Sequence, residues 1–187
     1  MTSIFRRGLL AVALALCGVG IALALDTGKA SGDIAIDGTE FPLSFAVETR
    51  KDNLFDENKR DTVVVLTDKQ LSATKPDDEI GLTVKARRGE LVALALRIDG
   101  NTLVNVAVSH QALDRLVILP GAWFQYAAGN KPGSGTLKLA EHQFEGHSYA
   151  VDVEFSAAPG ARAATRPVAT PGEPTAPATP TTDRTPK

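Results

Sequence analysis

Apolar and polar side chains alternate with a period of two through most of the middle of this chain, and this pattern fits few folds other than an antiparallel sheet. The clearest case is ELVALALRI at 90–98, which an Asp-Gly-Asn turn joins to TLVNVAVS at 102–109. Successive side chains of a strand point to opposite faces, and glycine tolerates the positive φ of a tight turn. The segment therefore predicts a β-hairpin with Val104, Val106 and Val108 directed toward the core.

Similar signals recur along the chain. Ile34 and Ile36 precede an Asp-Gly turn and a second alternating segment, and TVVVLT at 62–67 is typical of a strand buried on both faces. Acidic residues after Pro76 and the sequence Arg-Arg-Gly at 87–89 mark a short helix within 77–88. Counted along the chain, these signals indicate about eight or nine short strands. That number predicts an all-β fold, either an antiparallel sandwich or a partly closed barrel.

The first segment, residues 1–30, has the layout of a targeting sequence. Arg6 and Arg7 precede an uncharged apolar run at 8–25, and the Ala-x-Ala motif ending at Ala24 is a site where cleavage is expected. The run suits either a signal peptide or an N-terminal hydrophobic helix that anchors the chain in the inner membrane. Both alternatives export the rest of the chain: it is periplasmic or secreted, or tethered to the inner membrane facing outward.

The other two segments are a folding domain at 31–156 and a tail at 157–187. The tail holds 7 of the 11 prolines and no aromatic residue, so we expect it to be disordered. The domain carries 13 Lys plus Arg against 19 Asp plus Glu, and this acidic balance disfavours binding to nucleic acid. The only cysteine is Cys17, which excludes an intramolecular disulfide and a cysteine-based zinc site.

The three histidines are the first candidates for chemistry. If the segment around Gly146 is a turn, His142 and His147 could approach one metal ion, with Glu145 as a further ligand. Such groups in a loop are more often simply solvated, so we expect no metal and no cofactor. Ser109 and His110 have the residue types of a nucleophile and a base, but neighbours in a strand point to opposite faces, which argues against a catalytic triad.

Two other clusters are candidates for binding. The segment 52–61 is rich in carboxylate and amide oxygens, as calcium sites are, but it lacks the EF-hand spacing and contains basic residues. The aromatic sequence at 123–126 suits either the core or a binding surface. We expect Phe124 and Tyr126 to be core residues and leave Trp123 open; Trp123, and Tyr126 as the alternative to its place in the core, are the candidates for a surface that faces a ligand or partner.

A set of motifs completes the sequence signal: Gly32-Asp33, Asp37-Gly38, Phe55-Asp56, the strand at 63–68 and an alternating segment from Phe144 to Phe155. With these motifs the chain resembles small exported bacterial all-β domains of unknown function. The resemblance implies export and an all-β fold, and it implies no activity.

These observations favour an exported, non-catalytic cell-envelope domain that binds a protein partner or a small ligand. One alternative is a hydrolase-like envelope enzyme that uses His110, His142 or His147, and a second is a structural envelope protein. A pocket in which two or more titratable groups converge would distinguish the enzyme from the binder.

Overall fold

The computed structural model describes residues 25–53, 56, 58–71 and 79–160. Most of the expected signal or anchor segment, residues 1–24, lies outside the described residues, as does the tail from residue 161. Within the described ranges, no helix is long and apolar enough to span a membrane.

The described part of the domain is mostly antiparallel β-structure with one α-helix, as the alternation predicts. Nine strands form one sheet that curls into a half-barrel, and two short strands pair beside it. The strands are β1 Lys29–Ile36, β2 Thr39–Pro42, β3 Phe45–Asp52, β4 Arg60–Thr67, β5 Ala93–Asp99, β6 Thr102–Ser109, β7 Val117–Pro120, β8 Gln125–Ala128, β9 Ser134–Phe144, β10 His147–Ser156 and β11 Ala158–Pro159. The helix is α1, Glu79–Arg87.

The order of strands across the sheet is β7-β6-β5-β4-β3-β1-β10-β9-β8, with β2 paired to β1 and β11 paired to β3. The two outermost strands, β7 and β8, are consecutive in the chain, and a 3₁₀ turn at Gly121–Trp123 joins them. The two edges of the half-barrel are therefore connected covalently, although β7 and β8 are not neighbours in the sheet.

The inner face of the curled sheet encloses the main core. Its largest fully buried side chains include Tyr149 and Phe155 from β10 and leucines from strands in both halves of the sheet. Strand β4 is buried on both faces, as predicted: Val64 and Leu66 point into the main core, and Val63 and Val65 lie in a second cluster on the outer face.

The helix predicted within 77–88 is present as α1, and it covers the second cluster with Leu82 and Ala86. Glu79 lies in its first turn and Lys85 and Arg87 in its last turn, where each charge opposes the helix dipole. The helix ends at Arg87, and Gly89 has a positive φ of 69°, as is common just after a helix.

The hairpin at 90–109 is confirmed as β5 and β6, but the predicted alternation is wrong at Leu103 and Val104. Arg97 pairs with Asn105 and Ile98 with Leu103, so the register shifts between them. This β-bulge turns Leu103 into the main core and leaves Val104 39% exposed. Val106 and Val108 are fully buried, as predicted.

The oxygen-rich segment at 52–61 is held to the outer face of the sheet by one buried ion pair. Arg97 Nε donates to Asp61 Oδ2 at 2.5 Å, and the Asn53 amide donates to Asp61 Oδ1 at 2.7 Å. Arg97 also donates to the main-chain carbonyl of Asp52 at 2.8 Å. The Asp61 side chain is only 3% exposed, so its charge depends on these donors for its stabilisation.

We expect Asp61→Asn to lower the free energy of unfolding by about 3 kcal/mol, because breaking a buried ion pair leaves the other charge uncompensated. The matched control is Asp52→Asn. Asp52 pairs with Arg60 at 3.4 Å with both side chains more than 60% exposed, so this change should cost less than about 1 kcal/mol. Urea unfolding followed by circular dichroism measures both, and equal effects would contradict the assignment.

A second prediction concerns the link between β7 and β8. A Cβ atom on Gly121 would lie 2.1 Å from the Leu103 carbonyl oxygen, which is backbone and cannot rotate away. Gly121→Ala should therefore destabilise the domain by about 2–3 kcal/mol through overpacking. Gly100→Ala is the control: Gly100 has a φ of 59° but open space around it, so the expected cost is about 1 kcal/mol. Unfolding midpoints that rank the two variants the other way would refute this account.

Candidate functional site

The half-barrel has two ends, and each gathers polar side chains. Strand β9 runs from one to the other, since Ser134 begins it at one end and Glu145 follows its last residue at the other. We call the first the mouth, which lies between β3, β4, the β5–β6 turn and β8. The second is the histidine end, around the β9–β10 turn and the segment 113–117.

At the histidine end, two hairpin turns are joined by a carboxylate. Asp37 Oδ2 lies 2.7 Å from His147 Nδ1, and Asp37 Oδ1 accepts a hydrogen bond from the main-chain N–H of Ser148 at 2.9 Å. The hydrogen bond from His147, together with the one from Ser148, lowers the pKa of Asp37. His147 thus joins the β9–β10 turn to the β1–β2 turn, a contact that stabilises the fold.

The two histidines proposed as metal ligands occupy diagonal positions on the same face of the β9–β10 hairpin. The turn between β9 and β10 contains only Glu145 and Gly146. In the resulting register, His142 of β9 lies opposite Tyr149, and His147 of β10 pairs with Phe144. The His142 ring packs against Trp123 with centroids 4.2 Å apart. In the described part of the chain, no three His, Cys, Asp or Glu side chains are grouped closely enough to hold a metal ion.

Trp123 and Tyr126, the aromatic candidates, have different surroundings. Trp123 is half-buried: besides His142 it contacts Phe144 edge-on at 5.3 Å, and it packs against the core beside the β7–β8 link. Phe124 is a core residue, as expected. Tyr126 also packs against the core, but it lines the mouth as well.

His110 and Ser109 do not form a catalytic pair. The His110 ring is buried against Phe41 with centroids 4.3 Å apart, and its Nδ1 accepts from the Ala112 N–H at 3.2 Å. Burial lowers the pKa of His110. Ser109 instead faces α1, where its Oγ lies 3.3 Å from Thr83 Oγ1. As the alternation predicts, the two side chains point to opposite faces of the sheet.

The described carboxylates of the oxygen-rich segment are each paired with a cation. Asp61 is bound by Arg97, Asp52 by Arg60, and Asp56 lies 3.8 Å from Lys59. Each described carboxylate of the segment is therefore neutralised by a cation, which does not favour a calcium site.

Tyr149 is the one polar side chain of the described core without a hydrogen-bond partner. Its hydroxyl is fully buried, and among the described residues no donor or acceptor contacts it. Burial raises the pKa of this phenol, and the negative charges of Asp37 and Glu145 raise it further. The hydroxyl is therefore neutral, and its desolvation is uncompensated.

The mouth is the larger of the two clefts. It encloses about 380 Å³, compared with about 190 Å³ for the cleft at the histidine end. Tyr126 lies in it, and burial raises the pKa of the Tyr126 phenol. Its remaining lining includes Glu48, Arg50, Thr62 and Asn101 on one side and the β8–β9 loop with Lys131 on the other.

Sequence reasoning missed Arg50 and Lys131. Strand β3 places Arg50 on the same face as the core residue Ala46, two pleats farther along. The alternation of β3 was therefore a signal in the sequence that the Arg50 side chain lies on the inner face of the sheet. The position of Lys131 follows only from the long-range packing of the β8–β9 loop.

Comparison of the chain with protein-family models, with curated proteins and with solved structures finds no match in any of the three.

The unpaired Tyr149 hydroxyl gives a direct prediction. Tyr149→Phe should raise the free energy of unfolding by about 1 kcal/mol, because it removes a buried polar group that makes no hydrogen bond. In the control Tyr126→Phe, the lost hydroxyl borders an open cleft, and we expect a change within about 0.5 kcal/mol. A loss of stability in the Tyr149 variant, measured by thermal or urea unfolding, would show that the hydroxyl has a partner after all.

Proposed function

We propose that this chain is an exported, non-catalytic domain of the cell envelope that holds a small ligand in the mouth of its half-barrel. The observation that carries the proposal is the mouth itself: a concave cleft of about 380 Å³ at the open end of a curled sheet. This volume falls within the range of small-molecule sites, and barrel mouths are a usual place for them.

The lining of the mouth suits recognition of a ligand. Tyr126 offers an aromatic face and a neutral hydroxyl, and Ile98 and Ala128 add apolar surface. Thr62 and Asn101 contribute further groups that donate or accept hydrogen bonds. A few convergent polar groups on an apolar wall are what orient a bound small molecule.

The contacts of the histidines favour binding over catalysis. His110 packs on Phe41, His142 on Trp123, and His147 is bonded to Asp37. In the described ranges no serine or threonine hydroxyl and no second histidine is hydrogen-bonded to any of these rings. A hydrolase that uses a serine or threonine nucleophile needs that hydroxyl in contact with its base.

Export is the part of the proposal that rests on the sequence alone, namely on Arg6, Arg7 and the apolar run at 8–25. The Pro- and Thr-rich tail after Gly160 would be a spacer or docking segment. Gly160 N–H donates to the Glu48 carbonyl at 2.6 Å, so the described chain ends beside the mouth.

Native mass spectrometry of the full-length protein recovered from the cell envelope tests the proposal. We expect part of the protein to carry the added mass of a small organic molecule. Tyr126→Ala should reduce that occupancy at least about tenfold, because it removes most of the apolar contact in the mouth. The control is Ile118→Ala, which truncates a side chain that is 54% exposed on β7, outside the mouth.

A chain without added mass in several preparations would contradict small-ligand binding and favour a protein partner. Equal loss of the ligand in both variants would place its site elsewhere. The same spectra give the N-terminal residue, so a mass that begins at Leu25 would confirm cleavage and an intact N-terminus would confirm an anchor.

A further inference from the structure

The cations of this domain have an unusual distribution of partners. Most Lys and Arg side chains in the described ranges contact a carboxylate, a carbonyl or an aromatic ring, as expected where acidic residues are in excess. Only Arg50, Arg87 and Lys131, among the described cations, have a side chain with no ion pair, hydrogen bond or ring contact.

Two of these three exceptions line the same cleft. Arg50 lies on β3 and Lys131 on the β8–β9 loop, so they approach the mouth from two different walls. The third, Arg87, is exposed in the last turn of α1, outside the mouth. Carboxylates outnumber cations in this domain, yet these two cations of one cleft have no carboxylate partner. Ion pairs within the fold therefore do not explain why they lie there.

One carboxylate also lines the mouth, but it forms no ion pair with either cation. Glu48 is two residues before Arg50 on the same face of β3, and the two do not come within ion-pair distance. Its Oε2 instead lies against the backbone of Gly133, 2.3 Å from where a Cβ of that residue would be. The charged side chains of the mouth thus leave one positive charge in excess.

The donors of the mouth match a carboxylate. A guanidinium presents two parallel N–H groups that fit the two oxygens of a carboxylate, and a lysine ammonium adds a point charge. Tyr126 stays protonated at neutral pH and can donate a hydrogen bond to the same oxygens. One excess positive charge balances one carboxylate, whereas a phosphate dianion would leave an uncompensated negative charge near Glu48.

We propose that the mouth selects a small organic ligand that carries one carboxylate group, and that Arg50 and Lys131 are the charge partners of this group. The inference rests on the proposed function, since it names the class of ligand that the mouth would hold. The apolar part of the ligand lies against Tyr126, and its carboxylate points toward β3 and the β8–β9 loop.

The test uses the full-length protein and a matched pair of probes, benzoate and benzamide, which have nearly the same size and differ in charge. Titrations followed by ¹H–¹⁵N NMR should show saturable shifts of mouth amides, including those of Thr62 and Tyr126, with benzoate. We expect benzamide to bind at least about tenfold more weakly, a difference typical of a charge-assisted contact. Inorganic phosphate, as a third probe, should also bind more weakly than benzoate.

Variants assign the effect to the two cations. Arg50→Gln and Lys131→Gln should each weaken benzoate at least about fivefold and leave benzamide unchanged. Arg87→Gln is the control, because it removes the third unpaired cation of the described residues without touching the mouth. Benzoate affinity should be the same in this variant as in the unmodified protein.

The outcomes separate this inference from the proposed function. Equal binding of benzoate and benzamide at the mouth overturns the carboxylate inference and leaves the ligand-binding function standing. Tighter binding of phosphate overturns it in favour of a phosphorylated ligand. Benzoate shifts that persist unchanged in both glutamine variants, or no shifts at all, also overturn it. The proposed function fails separately if the protein from the envelope carries no added mass.

Discussion

The half-barrel depends on one constraint: its two outermost strands are joined by the chain and by packing, and not by pairing with each other. Gly121 lies against the Leu103 carbonyl, and Trp123 packs on His142 and Phe144 of β9. These contacts hold the β7–β8 link against both halves of the sheet. β7 and β8 form no ladder with each other, and at one end of the sheet the inner face of β3 and the β8–β9 loop form two sides of the mouth.

The polar groups of the domain follow from this shape. Among the described residues, the buried polar groups have partners with the exception of the Tyr149 hydroxyl: Asp61 is held by Arg97 and Asn53, and His110 by Phe41 and the Ala112 amide. Leaving a desolvated charge without a partner would be costly, so such pairs are necessary. Arg50 is exposed at the open mouth, and an unpaired charge can be kept there because water solvates it.

Sequence periodicity was sufficient for the strands and hairpins, since a period of two reports directly which face each side chain takes. It failed at Val104, because a β-bulge at Arg97 and Ile98 depends on the pairing of two strands and leaves no local signal. It also could not place His142 and His147, whose relative position depends on β9 extending to Phe144 and leaving a two-residue turn. The approach of Arg50 and Lys131 to one cleft depends on segments about eighty residues apart, which no local pattern encodes.

The same reasoning explains why the histidines are ambiguous as functional candidates. A histidine is noticed in a sequence because its side chain can bind metals and transfer protons. It is equally suited to structural work, as an aromatic ring that packs and a donor that bridges turns, and all three rings here have such contacts. A side chain already engaged in the fold has less capacity to bind something else. In this domain, the better indicator of a binding site is a side chain that lines a cleft and has no contact partner within the fold. Among the described cations, Arg50 and Lys131 meet both conditions.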